Sequence, residues 1–126
     1  MGTSLPVRSP VEEFIEAALS GPVNEARYLG WYSTATLGAF CNDVALTVAQ
    51  RFVDGELSFD DADIVANRIY GLYIGEPIDI PEPADSIYLA FDRGEYSIAG
   101  EDPVEQHTRP TLRKILASNP RTVRES

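Results

Sequence analysis

Asp54-Gly55-Glu56-Leu57-Ser58-Phe59-Asp60-Asp61-Ala62-Asp63 reads as a tight turn between two helices. Gly55 supplies the left-handed stop of the first. Ser58 supplies the cap of the second, with Asp61 three residues on. Asp60, Asp61 and Asp63 fall in or just beyond the first turn, where the helix dipole favours negative charge. Upstream, Leu37, Phe40, Cys41, Val44, Ala45, Val48 and Phe52 recur at helical spacing. They predict a long helix, capped by Ser33 or Thr34, that forms the centre of the core. Asn42, Asp43, Gln50 and Arg51 are expected to face mostly away from it. Gly38 is either a packing position or a mild weakness. Downstream, Ala62, Val65, Ala66, Ile69 and Tyr73 make the buried stripe of the next helix. Two helices joined by so short a turn form an antiparallel hairpin.

Outward from the hairpin, Ser9-Pro10-Val11-Glu12 is a cap-proline-glutamate start. Val11, Phe14, Ile15, Ala18 and Leu19 then predict a first helix over 10–20, ended by Gly21-Pro22. Tyr28, Leu29, Trp31 and Tyr32 around Gly30 read as a short helical turn whose aromatics cover one end of the bundle, with an aromatic ligand platform as the alternative. The run 75–83, with Pro77, Pro81 and Pro83, is an extended connector pinned by Ile78 and Ile80. Residues 84–92 form a further helix with Ile87, Ala90 and Phe91 inward and Gly94 as its stop. Asp102-Pro103-Val104-Glu105 repeats the cap-proline-glutamate start, and Pro110 interrupts or restarts the helix that follows. In that helix Leu112, Ile115 and Leu116 pack inward and Asn119-Pro120 closes it. The expected architecture is all-α, an antiparallel bundle of four or five helices over residues 9–119. Residues 1–8 and 120–126 are expected to be flexible.

The totals exclude several classes. A chain of 126 residues is one domain, and 44% apolar content suits a packed core. A net charge of −10 argues against direct nucleic-acid binding and against anionic membrane surfaces. Cys41 is the single cysteine, which rules out an intrachain disulfide and a multi-cysteine zinc site and fits a reducing compartment. No signal-peptide run opens the sequence and no window reaches membrane-span length. The expected location is the cytoplasm.

Catalytic patterns are missing. With Asp54 as the first position of a calcium loop, Phe59 stands where glycine is needed and Val65 where a bidentate glutamate is needed. His107, the single histidine, has no nucleophile motif around it and reads as a surface or capping residue. Cys41 lies on an apolar stripe and reads as a buried hydrophobe. No cofactor and no metal are expected. A carboxylate- or metal-dependent enzyme and a structural or oligomeric helical subunit remain as alternatives.

The charge is unevenly distributed. Residues 54–105 carry fourteen acids opposed only by Arg68 and Arg93, twelve net negative charges, whereas 106–126 is +4. Helix capping accounts for Asp60, Asp61, Asp102 and Glu105. Asp54, Glu56, Glu76, Asp79, Glu82, Asp85, Asp92, Glu95 and Glu101 fall mostly in loops or at exposed positions, without such a duty. A field of this sign favours a basic protein partner.

Arg51-Phe52-Val53-Asp54-Gly55-Glu56-Leu57-Ser58, then Ile87-Tyr88-Leu89-Ala90-Phe91-Asp92-Arg93-Gly94-Glu95-Tyr96, then Leu112-Arg113-Lys114-Ile115-Leu116 form a pattern over about residues 45–117. It resembles the colicin D-type immunity proteins. The proline-rich connector and Pro110 depart from that family, and the first forty residues match nothing in it. The resemblance implies a helical, acidic, non-enzymatic immunity or antitoxin protein. Such a protein blocks the nucleic-acid cleft of a basic nuclease toxin by imitating phosphates. The binding surface it implies comprises Asp54, Glu56, Glu82, Asp85, Asp92 and Glu95, with Tyr88 and Tyr96 as anchors.

Overall fold

A computed structural model describes residues 10–21, 34–71, 81–95, 100 and 102–119. Five α-helices run through these residues: α1 (Pro10–Ser20), α2 (Thr34–Val53), α3 (Phe59–Gly71), α4 (Ala84–Gly94) and α5 (Arg109–Ser118). A π-helical turn, Val104–Thr108, leads directly into α5. The fold is an all-α bundle, with no strand among the described residues. No helix among them is long and apolar enough to cross a membrane.

Helix α2 is the axis, in contact with each of the other four. The whole predicted stripe from Leu37 to Phe52 is buried. Leu46 and Ala49 are buried as well, because a helix with neighbours on several sides buries more than one face. Phe14 meets Phe40 edge-on at 5.7 Å between ring centroids, joining α1 to α2. At the other end Phe52, Phe59 and Phe91 form a triangle with centroid separations of 5.6 to 6.3 Å. That triangle ties together α2, α3 and α4. The Arg109 guanidinium caps it, 4.5 Å from the Phe52 ring centroid, a favourable cation–π placement.

The turn between α2 and α3 has the predicted chemistry. Gly55 adopts φ +83°, and the amides of Glu56 and Leu57 both reach back to the Arg51 carbonyl, at 2.7 and 3.2 Å. Ser58 Oγ accepts from the Asp61 amide at 3.1 Å. Phe59 is turned inward against the core, so the loop is organised by packing.

Three expectations are corrected. Asn42 does not face away: its Oδ1 accepts from the Ala84 amide at 3.0 Å. It caps α4 from α2. The next three amides of α4 are met by Pro81 O, Glu82 Oε1 and Pro83 O, so none of the first four amides is orphaned. Gly94 is not a left-handed stop. It lies inside α4 and is buried, and a Cβ there would stand 2.4 Å from Thr108 Oγ1 and 2.8 Å from the Phe59 ring. Its role is close approach of two elements. Arg51 also turns back to the protein, pairing with Glu12 of α1.

Asp102 Oδ1 accepts from the Glu105 amide at 3.3 Å, as the cap-proline-glutamate pattern predicts. The helix is interrupted and restarts at Pro110 as expected: a π turn, Val104–Thr108, precedes α5, which begins at Arg109 with Pro110 in its first turn. The chain widens to a π turn just before it, and the Arg109 amide bonds to Val104 O. In a straight α-helix the Pro110 ring would press on the Gln106 carbonyl; the wider turn stands where that clash would arise. Thr108, fully buried, donates its hydroxyl to Ala90 O at 2.7 Å. The expected capping roles of Ser9 and Ser33, the aromatic turn around Gly30, Tyr73, and the pinning by Ile78 and Ile80 lie outside the described residues.

Candidate functional site: an acidic two-helix face

Asp60, Asp63, Asn67 and Tyr70 are spaced three, four and three residues apart on α3. Asp85, Tyr88, Asp92 and Glu95 repeat those intervals on α4 and its C-cap. This spacing puts each set on one flank of its helix. Consecutive helices run antiparallel here, so the sets meet in reverse order. At one end Tyr70 and Tyr88 stack, 4.5 Å apart and 15° from parallel. At the other, the Asp63 carboxyl comes under the influence of Glu95, Asp92 and Asp60. The result is a stripe of carboxyls ending in two stacked phenols.

The electrostatics follow from that crowding. Burial at the seam raises Asp63 to about 7, and the hydrogen bond to Glu95 and the charges of Glu95, Asp92 and Asp60 add to it. The Tyr88 phenol is raised by burial first, then by Asp92, Tyr70, Glu95 and Asp63. Tyr70 is 41% exposed and Leu89, on the outer side of α4, is 53% exposed. Apolar surface therefore lies open beside the acids.

The sequence-predicted binding residues do not all share this surface. Tyr88, Asp92 and Glu95 do, and Asp85 lies on the same flank of α4. Asp54 and Glu56 are exposed in the α2–α3 turn. Asp54 also has a local duty, accepting from Gln50 Nε2 at 3.0 Å. Glu82 is separated from the face. It bonds the amide and hydroxyl of Ser86, at 3.2 and 2.6 Å. With Ser86 it lines a shallow groove of about 330 Å³ against Lys114, Ile115 and Asn119 of the last helix and its end. Glu82 is a helix-start residue on the far flank of α4. Tyr96 lies outside the described residues.

Three members of the face were missed from sequence. Asp60 and Asp63 were credited to the helix dipole, and Tyr70 was not singled out. The matching three-four-three spacing in α3 and α4 is the signal that could have found them.

The remaining chemistry-bearing residues lie elsewhere. His107, in the π turn, is half-buried and its Nε2 accepts from Arg93 Nη2 at 3.0 Å. Cys41 is buried. Among the described residues no group of three or more His, Cys, Asp or Glu is placed to hold a metal ion.

Comparison with protein-family models, with curated proteins and with solved structures found no match.

Proposed function

We propose that this chain is a small acidic cytoplasmic protein that binds and neutralises a basic protein partner. The best-fitting role is an immunity or antitoxin protein that occupies the nucleic-acid cleft of a nuclease toxin. The observation that carries this reading is the two-helix face. Asp60, Asp63, Asp92 and Glu95 cluster beside the Tyr70–Tyr88 stack. Carboxyls in a row can stand where a nucleic-acid backbone would place phosphates. A rigid aromatic pair beside open Leu89 has the make-up of an interface hot spot, where aromatic anchors dominate the binding energy. The net charge of −10 speeds encounter with a basic surface and disfavours neutral competitors. The resemblance of residues 45–117 to colicin D-type immunity proteins points the same way. Catalysis is not part of this reading.

The test is co-expression with the product of the neighbouring gene. A complex that survives moderate salt, together with rescue of the host from toxicity, is the expected result. Neither complex nor rescue would overturn the proposal. Within a complex, Asp92→Lys combined with Glu95→Lys is expected to weaken binding at least tenfold, since each places a like charge against the partner. Glu82→Lys, on the far flank, should leave it within about twofold.

A second reading has one observation in its favour. A carboxyl raised to about 7 beside a second carboxyl is the arrangement a general acid–base pair uses. Under that reading Asp63→Asn abolishes a turnover that the wild-type chain performs. Under the binding reading the same change alters affinity only by degrees.

A further inference from the structure

Helices α3 and α4 bring two stacked aromatic rings and open apolar surface to one side of the molecule, rimmed by acids. We propose that the Tyr70–Tyr88 stack is the seat for an arginine side chain of the basic partner, whose guanidinium lies on the open face of Tyr70 and turns its N–H groups to Asp92. This arginine seat rests on the binding role proposed for the face.

The ring centroids of Tyr70 and Tyr88 are 4.5 Å apart and the rings 15° from parallel. A parallel stack covers one face of each ring. Tyr88 is half-buried, whereas Tyr70 keeps 41% of its surface open, and that opening belongs to its outer face and edge. Asp92 stands one turn beyond Tyr88 on the same flank of α4. Helical side chains lean toward the N-terminus of their own helix. In an antiparallel pair Asp92 therefore leans toward the level of Tyr88, and Tyr70 leans toward the level of Asp92. The charge of Asp92 reaches the stack: after burial it is the largest influence raising the Tyr88 phenol. Leu89, 53% exposed beside Tyr88, offers apolar surface to the methylene stem of an incoming arginine.

The chain builds such a seat once for one of its own arginines. The Arg109 guanidinium lies 4.5 Å from the Phe52 ring centroid, and Glu105, one turn away, accepts from its Nε at 3.0 and 3.1 Å. A ring and a carboxylate hold one guanidinium between them. Tyr70 and Asp92 supply the same two parts, and among the described residues no arginine of the chain occupies them. Arg51 is turned to Glu12, Arg93 to His107 and Arg109 to Glu105. Arg68, two residues before Tyr70, lies about 160° away from it round α3. Among the described residues no ion pair engages Asp92 or Glu95. The cation that completes the seat therefore comes from another molecule.

Arginine suits these parts better than lysine. A guanidinium is planar and weakly hydrated, stacks flat on a ring, and presents N–H groups in its own plane to a carboxylate at the rim of that ring. An ammonium is a compact, strongly hydrated charge, which gains from the acids but less from the ring face. Acids alone would attract both cations alike, so the discrimination comes from Tyr70. A cation–π contact at an exposed site corresponds to about a two- to fivefold change in affinity.

Two capped peptides alike except that one carries arginines where the other carries lysines, titrated into the full chain and followed by NMR, test the seat. The arginine peptide should bind about two- to fivefold more tightly and shift the ring resonances of Tyr70 and Tyr88. Tyr70→Phe should keep that preference and Tyr70→Leu should abolish it, while Asp92→Asn weakens both peptides; circular dichroism checks that each variant is folded. Equal affinity of the wild-type chain for the two peptides overturns the seat. So does a preference lost in Tyr70→Phe or surviving in folded Tyr70→Leu. The peptide result is read apart from co-expression. Equal affinities beside a salt-resistant complex would remove the seat and keep the proposed function; an arginine preference with neither complex nor rescue would do the reverse.

Discussion

Two helical glycines in this protein face opposite environments, and substitution separates them. At Gly94 an added Cβ would meet Thr108 Oγ1 and the Phe59 ring at 2.4 and 2.8 Å. Gly94→Ala should therefore cost about 1–3 kcal/mol, the usual range for overpacking, despite alanine's better helix propensity. At Gly38 the nearest atoms are those of Pro81, at 3.6 and 3.8 Å, which is ordinary contact. Gly38→Ala should raise stability by about 0.5–1 kcal/mol. Urea unfolding of the two variants, read as midpoint shifts of opposite sign, checks both. Asn42 offers a third case. Its side-chain carbonyl meets the first amide of α4 from another helix. Asn42→Ala should lower stability by about 0.5–2 kcal/mol, as the loss of a cap does, and hydrogen exchange should quicken in the first turn of α4 before it does in α2.

At the scale of elements, the seam between α3 and α4 has two parts with different physics. The inner part is the Phe52–Phe59–Phe91 triangle, where area removed from water holds the helices together. The outer part is the stripe of carboxyls ending in the tyrosine stack, where repulsion works against the packing. Tyr88→Ala removes the stack that sets the register. It should leave the bundle folded, since Tyr88 is only half-buried, but lower the partner's affinity about tenfold or more if Tyr88 is an anchor. Titration calorimetry with the partner, alongside circular dichroism of the free variant, reads the two effects separately. The π turn is the other unusual element. It aims Thr108 inward to Ala90 O and sets His107 against Arg93, so the last helix is joined to α4 by side chains that a regular helix would have turned elsewhere. Thr108→Val, which keeps the volume and removes the hydroxyl, should cost about 0.5–1.5 kcal/mol.

For the whole molecule the governing quantity is charge. A net charge of −10 sets the sign of the field that the proposed basic partner would meet. Association with a basic partner should slow steeply as ionic strength rises, since the Debye length falls from about 10 Å at 0.1 M to about 3 Å at 1 M. Stopped-flow rates at several salt concentrations would show it. The helical hairpin, the central helix and their core were legible in the sequence because they depend on local rules. Gly55 needs its left-handed φ, Ser58 needs a helix to cap, and apolar residues at helical spacing need a face to bury. The site was legible only in part. Tyr88, Asp92 and Glu95 come together on the α3–α4 face, whereas Glu82, just ahead of α4, lines the groove against the last helix.

Sequence by itself determined the helices, their order, the excess of acid between residues 54 and 105, and the absence of the catalytic motifs tested for. Those properties follow from neighbours within a few residues along the chain. Tertiary structure decided which acids meet. Asp63 and Glu95 are thirty-two residues apart in the chain, and only the antiparallel register set by Tyr70 and Tyr88 puts one beside the other. The same holds for Gly94, whose meaning came from Thr108 and Phe59, and for Asn42, whose partner lies on α4. The physical reason is common to all three. A side chain's role is set by what stands within a few ångströms of it, and across a bundle that is fixed by helix packing and not by chain order. The stretch Asp54–Asp63 shows the division within itself: Gly55 and Ser58 act as the local rules predict, whereas Asp63 takes its character from burial in the bundle and from acids on another helix.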